Sequence, residues 1–198
     1  MNLRANDNSA MPETKPLAAK VLLLGDPGLR KVCRAVDDVG NADFRYHRDR
    51  LHATLEAFRA EHGFGRAISA PQIGVAFRYI AVNLGDGPFT MINPEITWVS
   101  PETFTMWDDC MSFPFLLVRV RRQRAVSVRY LDDDGNIRVM DRLDQATSEL
   151  LQHEIDHLDG ILAVDHALDA DAIVSREVFE ENPEWFADKV DYVIAPTV

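Results

Sequence analysis

The stretch "LLQHEIDHLDG", residues 150–160, places two histidines four positions apart, with a glutamate directly after the first. On a helix, His153 and His157 lie one turn apart on the same face, so both imidazoles can bind one cation. Glu154 lies beside that face, where its carboxylate can accept a proton from a water molecule near the cation. The spacing predicts a hydrolytic metal centre. The alternative is a solvated helix that exposes these polar side chains to water.

The neighbourhood of the motif favours the metal centre. Its flanking residues are strongly apolar, which predicts a helix enclosed by protein, where polar groups need compensating partners. Cys110, in "WDDCMSFPF" (residues 107–115), is a candidate third ligand. A thiolate binds zinc or ferrous iron well, and a His-His-Cys set leaves a fourth tetrahedral position open for water. The alternative for a lone cysteine is a small buried apolar residue.

Length and composition bound the class of protein. A chain of 198 residues is long enough for one well-buried core. We expect a polar N-terminal extension over residues 1–19 and a single domain over residues 20–198. The formal net charge of -11 argues against direct nucleic-acid binding and against an anionic membrane surface as partner.

The apolar stretches and the first residues of the chain indicate where the protein is located in the cell. The longest of them are far too short to span a bilayer, so no membrane segment is expected. The first residues contain no apolar signal-peptide core, which makes the cytoplasm the expected location. Cys33 and Cys110 are the two cysteines, so a disulfide framework is not expected.

Apolar spacing and capping residues predict three helices. The first covers Phe44–His62 and is capped by Gly63, and the second covers about Asp144–Leu158 and ends at Gly160. A third is expected over about Asp169–Glu180.

Branched and aromatic residues predict strands in "RYIAVNL" (78–84) and "MINPEITWVS" (91–100), and an Asp-Gly turn predicts a hairpin within residues 125–141. Regular βαβ alternation is missing. We therefore expect an α+β fold in which mixed, mainly antiparallel strands pack around a central helix that carries the His-Glu-x-x-His motif.

Three segments resemble the motifs of the peptide deformylase family, in the family's order. "GRAISAPQIGV" (65–75), "DDCMSFP" (108–114) and "HEIDHLDGIL" (153–162) are similar to its first, second and third motifs. "VLLLGDPGLRKV" (21–32) is similar to its N-terminal segment. The resemblance covers about Val21–Asp165.

The resemblance implies metal-dependent removal of the N-formyl group from formylmethionyl peptides, with release of formate. It implies one divalent ion, ferrous iron as the expected metal and zinc as the alternative, held by Cys110, His153 and His157. It further implies that Glu154 is the general acid and base. Gln72, through its side-chain amide, and Met111, through its backbone N–H, would donate to the formyl oxygen. The implied partners are formylated N-termini of nascent polypeptides, near the ribosome.

Several residues depart from the family's motifs. Ala67 and Asp109 replace glycines, and Ser69 replaces an alanine. Glu149, one turn before His153, is expected to be solvated or ion-paired with Arg66. These changes leave the substrate preference open. The alternatives are a non-catalytic deformylase-like peptide-binding protein, a deformylase for a non-standard formylated substrate, and a zincin-like endopeptidase.

Two further expectations concern residues near the second motif. Trp107 is expected to pack in the core, with cleft lining as the alternative. The basic run Arg119, Arg121, Arg122 and Arg124 is expected to form the exposed face of one strand.

Overall fold

Two antiparallel sheets form the framework of the chain, which a computed structural model describes over residues 16–194. Most of the predicted N-terminal extension therefore lies outside the described residues. The first sheet has the order β1-β2-β3-β6-β7, formed by Ala67–Ser69, Tyr79–Asn83, Pro88–Val99, Val126–Leu131 and Ile137–Met140. The second has the order β4-β5-β8, formed by Thr103–Asp108, Leu116–Gln123 and Ile173–Ser175. The predicted α+β class with mainly antiparallel strands is confirmed.

Helix α1 (Ala42–His62) covers one face of the first sheet. The side chain of Asn41 caps its first turn, accepting from the backbone of Asp43 and Phe44, and Gly63 ends it. Alternate residues of β2 share this face, so Tyr79 and Ala81 pack in the same cluster as Leu51 and Leu55 of the helix. The predicted helix is confirmed and begins two residues earlier than expected.

Helix α2 (Gln145–Leu158) covers the opposite face of the same sheet. Its Leu151 and Ile155 pack with Ile80 and Val82, the β2 residues that point away from α1. The second sheet lies on its other side, where the Gln152 side chain accepts from Gln123 N at 2.9 Å. The helix therefore runs between the two sheets, as predicted. Burial of His153 (6% exposed), Glu154 (4%) and His157 (1%) makes the solvated-helix alternative wrong.

Both ends of α2 are fixed by local chemistry. Asp144 caps the first turn by accepting from Thr147 N at 2.9 Å. Gly160 follows the last turn with φ of 73°, and a Cβ atom there would lie 2.6 Å from the carbonyl oxygen of Arg30. A side chain is excluded at this position by both the backbone angle and the contact. The predicted end of the helix at Gly160 thus has a physical cause.

The predicted hairpin is formed by β6 and β7. The side chain of Asp132 accepts from Asp134 N and Asn136 N, at 3.1 and 2.8 Å, and so stabilises the turn. Among residues 16–194, no helix is long and apolar enough to cross a bilayer.

The prediction of one helix over Asp169–Glu180 is wrong in its first part. Ile173–Ser175 forms strand β8, paired with Leu116–Val118 of β5. Ser175 then caps helix α3 (Arg176–Glu181), and a further helix, α4, covers Pro183–Ala187. The strand depends on hydrogen bonds to a segment more than fifty residues away, so the local pattern could not predict it.

The exposed-face prediction for the basic run is also wrong at one residue. Side chains alternate between the faces of a strand, so Arg122 shares the inner face of β5 with Val118 and Val120. Its side chain is 4% exposed. Arg121 and Arg124 are exposed, as expected, and Arg119 is half-buried in an ion pair with Asp169.

Candidate metal centre

The three predicted ligand residues converge in the interior. Cys110 follows the end of β4, whereas His153 and His157 project from consecutive turns of α2. One donor atom from each residue lies within 4.8 Å of the others. Cys110 Sγ is 3.2 Å from His157 Nε2, and the two imidazole centroids are 5.0 Å apart. Cys110 is thus buried, as expected of a small apolar core residue, but its sulfur faces the imidazoles of His153 and His157.

Asp108 orients His153 within this cluster. Asp108 Oδ1 lies 2.9 Å from Nδ1 of His153, which leaves Nε2 available as a donor. Burial would lower the pKa of His153, but the charges of Asp108 and Cys110 outweigh it and hold that pKa well above its ordinary value. These acidic neighbours therefore favour positive charge beside His153, in the form of a proton or a metal ion.

Asp108 is itself held by a buried ion pair. Arg122 Nη2 donates to its Oδ2 at 3.0 Å, and Arg122 Nη1 also donates to Asp156 on α2. Burial would raise the pKa of Asp108, yet His153 and Arg122 hold it far below its usual range. The imidazole and the guanidinium therefore both favour the ionised form of the Asp108 carboxylate.

Asp108 and Arg122, which support His153, were not predicted as site residues. Asp108 lies two positions before Cys110, and a carboxylate partner is a common feature of ligand histidines, so a signal existed in the sequence. Arg122 carried no comparable signal, because β5 brings it to Asp108 from fourteen positions along the chain.

Glu154 lies next to the cluster and is enclosed by protein. The Ser69 hydroxyl lies within hydrogen-bond distance of two oxygens of Glu154: the carboxylate Oε2, and the backbone carbonyl oxygen at 2.8 Å. Burial raises the pKa of Glu154, against the opposing effects of His153 and the Ser69 hydrogen bond. A carboxylate with a raised pKa is better able to exchange a proton near neutral pH. Ser69 is a residue of the first motif that sequence reasoning had noted only as a substitution.

Gln72 presents its amide nitrogen to the same site. Its Oε1 accepts from Ser69 N at 2.8 Å, which turns Nε2 towards Cys110 Sγ at 3.6 Å and Ser112 Oγ at 3.3 Å. Met111 is buried beside Cys110 and lines the adjoining cavity. The structure thus brings all six predicted site residues into one region.

A cavity of about 380 Å³ opens beside the cluster. Cys110, His153 and Glu154 line it on one side, and several apolar residues line it elsewhere: Phe64, Trp107, Leu117, Leu150 and Phe179. Trp107 is 6% exposed, so it packs in the core, as expected, and also contributes to the cavity wall.

An ion pair crosses the wall of this cavity. Arg66 Nη2 donates to Glu149 Oε1, and the two side chains are 13% and 3% exposed. The predicted pairing is confirmed, whereas the solvated alternative for Glu149 is wrong. Burial raises the pKa of Glu149 to about 7, although Arg66 opposes the shift. Ala67 does not line the cavity but packs in the core cluster of α2.

The donor set fits a transition-metal ion. One sulfur and two imidazole nitrogens are the donors that zinc and iron accept, and Asp108 supplies the usual support for a ligand histidine. Cys110 and His153 border the cavity, so a further ligand can reach the ion from there. Such a site, with a buried carboxylate beside it, defines a metal-dependent hydrolase.

Comparison with known proteins gives the family. The family model for polypeptide deformylase matches residues 18–172. The peptide deformylase of Thermotoga neapolitana is 34% identical over 160 residues, which cover 80% of this chain and 92% of that protein. The chain belongs to the polypeptide deformylase family. Its members are metal-dependent hydrolases that remove the formyl group from the N-terminus of nascent peptides, and the predicted family and activity are confirmed.

Solved structures agree with this assignment. The crystal structure of the Thermotoga maritima peptide deformylase matches with a TM-score of 0.69 and 30% identity, over 77% of this chain and 99% of that one. A class I type b peptide deformylase from Acinetobacter baumannii, bound to Met-Ala-Ser, matches with a TM-score of 0.67 and 27% identity, over 76% and 99%.

Proposed function

We propose that this chain hydrolyses the formyl group of formylmethionyl peptides at the Cys-His-His cluster. The observation that carries the assignment of roles is the convergence of three donor atoms within 4.8 Å beside the buried Glu154. In this proposal Cys110, His153 and His157 bind one divalent ion. Ferrous iron is the expected metal and zinc the alternative, since a His-His-Cys set suits both.

The ion, when bound, supplies a Lewis acid that lowers the pKa of water and polarises the formyl carbonyl. Glu154 takes a proton from the attacking water. The water oxygen bonds to the formyl carbon, the carbon–nitrogen bond breaks, and Glu154 returns the proton to the departing amine. The products are formate and a free N-terminus. Cys110 acts as a ligand, so no covalent intermediate with the protein is required.

Gln72 and Met111 are proposed to stabilise the charge that develops on the formyl oxygen. Gln72 Nε2 already points at the cluster, because its Oε1 is engaged by Ser69 N. The backbone N–H of Met111 follows directly after the cysteine ligand. Fixed donors of this kind stabilise the tetrahedral state more than the flat amide, and so they accelerate the reaction.

The substrate proposal rests on the cavity and on one relative. Its apolar wall suits a methionine side chain, and the Acinetobacter baumannii relative binds Met-Ala-Ser. Formylated nascent polypeptides are accordingly the proposed partners. Proximity to the ribosome and a cytoplasmic location follow from that choice of substrate.

A second candidate is a deformylase for a non-standard formylated substrate. The Arg66–Glu149 pair favours it, because two buried charged side chains on the cavity wall can hydrogen-bond to a polar side chain. A preference for formylated peptides with a polar first residue over formyl-Met-Ala-Ser would support this candidate.

The test measures formate from iron-loaded protein under anaerobic conditions. Formyl-Met-Ala-Ser should release formate, and acetyl-Met-Ala-Ser should release no acetate. Glu154→Gln should lower the rate by roughly 10² to 10⁴ with the bound metal unchanged. The matched control, Glu61→Gln, changes an exposed side chain and should keep the parental rate. Tight peptide binding without formate would instead indicate a non-catalytic protein, and full turnover in Glu154→Gln would refute the assigned base.

A further inference from the structure

The cavity beside the metal cluster reaches both faces of the second sheet. Trp107 and Asp108 are neighbours on β4, so their side chains point to opposite faces of the strand. Asp108 points towards α2, where its Oδ1 lies 2.9 Å from Nδ1 of His153. Trp107 points the other way, and its Nε1 donates to Phe186 O of α4 at 2.9 Å. Because both residues line the cavity, it continues around the end of β4 from the cluster to the opposite face.

The part of the cavity on that opposite face is apolar. We call it the outer lobe, and its walls are formed by Trp107, Leu117, Phe179, Pro183 and Ala187. Trp107 and Leu117 belong to one small core cluster, which residues of α3 and α4 complete. The outer lobe thus presents apolar surface that this cluster leaves uncovered, and such surface is typical of ligand pockets.

The two helices that build the outer lobe lie outside the match to the family model. That match ends at residue 172, whereas Phe179 lies on α3 and both Pro183 and Ala187 lie on α4. The ring of Phe179 stacks on the buried ring of Phe186, with centroids 5.0 Å apart, which fixes its position. The outer lobe is therefore a feature of this chain that family membership does not assign.

Charged residues beside the outer lobe are already paired with each other. Arg176 begins α3 and lines the cavity together with Asp109. Its Nη2 donates to Asp109 Oδ2 at 2.9 Å, and its Nε donates to Pro114 O at 2.6 Å. A charged side chain that entered the outer lobe would lose water without finding a free partner in this pair. An apolar side chain would gain free energy by leaving water, so the outer lobe favours an apolar ligand.

The spacing of an extended peptide assigns the outer lobe to one substrate residue. Consecutive side chains of such a peptide point to opposite sides. A first side chain that lies against Leu150, one turn before Glu154 on α2, places the second side chain on the side of Trp107. The second residue lies roughly 7 Å from the formyl group, and Trp107 lies at most about 10 Å along the chain from Cys110. The second side chain can therefore reach the outer lobe while the formyl group is at the cluster.

We propose that the outer lobe is a substrate subsite that binds an apolar side chain at the second residue of a formylated peptide. This inference rests on the proposed function and adds a preference that the chemistry of formyl hydrolysis does not supply. Formylated peptides with leucine as their second residue bind better than those with alanine or lysine there.

The first test compares peptides that differ at one residue. With iron-loaded protein under anaerobic conditions, kcat/KM is measured for formyl-Met-Leu-Ser, formyl-Met-Ala-Ser and formyl-Met-Lys-Ser. The leucine peptide should exceed the other two by about tenfold, the factor that a small apolar group in a pocket produces. Formyl-Met-Ala-Leu carries the leucine one residue later and should match formyl-Met-Ala-Ser.

Variants of the lobe walls should change this preference. Phe179→Ala removes one wall and should lower the leucine-to-alanine ratio to about three or less. Val178→Ala is the matched control, since Val178 is the preceding residue on α3, is 47% exposed and is not part of the cavity wall. Ala187→Glu changes an exposed residue of the wall and should favour the lysine peptide over the leucine peptide. Urea unfolding checks that each variant is folded.

A binding measurement gives a readout without turnover. The peptides Met-Leu-Ser and Met-Ala-Ser correspond to the products of the reaction, and calorimetry measures their affinities. Met-Leu-Ser should bind about tenfold more tightly than Met-Ala-Ser, and Phe179→Ala should remove most of this difference while Val178→Ala keeps it.

The outcomes separate the two proposals. No formate from any formylated peptide would refute the proposed function, while tighter binding of Met-Leu-Ser than of Met-Ala-Ser would still support the subsite. Equal kcat/KM values and equal affinities for the leucine and alanine peptides would overturn the subsite. A leucine preference that is as large at the third residue, or that Phe179→Ala and Ala187→Glu leave unchanged, would overturn it as well. Neither formate nor binding would overturn both proposals.

Discussion

Asp108 Oδ1 lies 2.9 Å from Nδ1 of His153, and Oδ2 of the same carboxylate lies 3.0 Å from Nη2 of Arg122. The carboxylate therefore connects a candidate metal ligand on α2 to a buried cation on β5. His153 is held both in its ring orientation and in the tautomer that offers Nε2 to the ion.

Asp108→Asn should weaken metal binding by about 10- to 100-fold, because it removes the negative charge behind His153. Competition with a chelator measures the affinity, and excess metal should restore part of the activity. Asp109→Asn is the matched control, since Asp109 pairs instead with Arg176 at 2.9 Å, and its effect should be smaller. Equal losses in the two variants would contradict the role given to Asp108.

Ser69→Ala should shift the acidic limb of the rate profile to higher pH. The Ser69 hydroxyl lowers the pKa of Glu154, so its removal adds to the effect of burial and raises that pKa further. Since Glu154 must be ionised to accept a proton, kcat/KM should fall more at pH 6 than at pH 8. A profile that moves to lower pH, or does not move, would contradict the assignment of Glu154 as base.

Glu149→Gln should change how stability depends on pH. The pKa of Glu149 is raised to about 7 in the folded protein. The contribution of Glu149 to the free energy of unfolding is thus fully present below the ordinary pKa of a glutamate, and it is lost as the pH rises through about 7. The free energy of unfolding of the variant, relative to the parent, should therefore increase by up to about 3 kcal/mol between pH 4.5 and pH 8.

Urea unfolding at several pH values measures this difference. The control is Glu95→Gln, in an exposed ion pair with Arg129, where the change should stay within about 0.5 kcal/mol at each pH. A constant difference for Glu149→Gln would show that its ionisation is not linked to folding.

Phe186→Ala should destabilise the protein by about 3 kcal/mol. Phe186 is 2% exposed and packs between Trp107 and Phe179, with ring centroids 5.2 and 5.0 Å away. Urea unfolding followed by tryptophan fluorescence measures the loss. Leu17→Ala, at a residue 86% exposed, should change stability by less than about 0.5 kcal/mol. A similarly small loss for Phe186→Ala would mean that α4 does not fold with the core.

Local patterns predicted the elements whose causes are local. Helix α2 was predicted because its cap Asp144, its apolar spacing and the terminal Gly160 all lie within a few residues of one another. The hairpin of β6 and β7 was predicted from its turn for the same reason. Strand β8 was missed, because its hydrogen bonds come from Leu116–Val118 and no local pattern records them.

The site divides in the same way. His153, Glu154 and His157 have a spacing that predicts a metal site on one helix, and the chemistry of a thiolate made Cys110 the candidate third ligand. The resemblance to the family added Gln72 and Met111. Ser69 and Arg122 could not be assigned from sequence, because their partners, Glu154 and Asp108, come from other elements. The contribution of Tyr192 to the cavity wall was not predicted, because it depends on the pairing of Tyr192 with Met106 of β4, which lies far away in the sequence.

Arg122 pairs with two carboxylates, and this arrangement bears on which metal ion the site binds. By joining Asp108 on β4 to Asp156 on α2, Arg122 fixes the distance between the strand that leads to the sulfur and the helix that bears the imidazoles. The metal-binding residues are thus held in place by ion pairs within the protein, unlike those of a zinc finger, whose fold depends on its ion. Exchange of one metal for another should therefore leave the backbone unchanged. The supply of metal ions, and not folding, then decides which ion occupies the site.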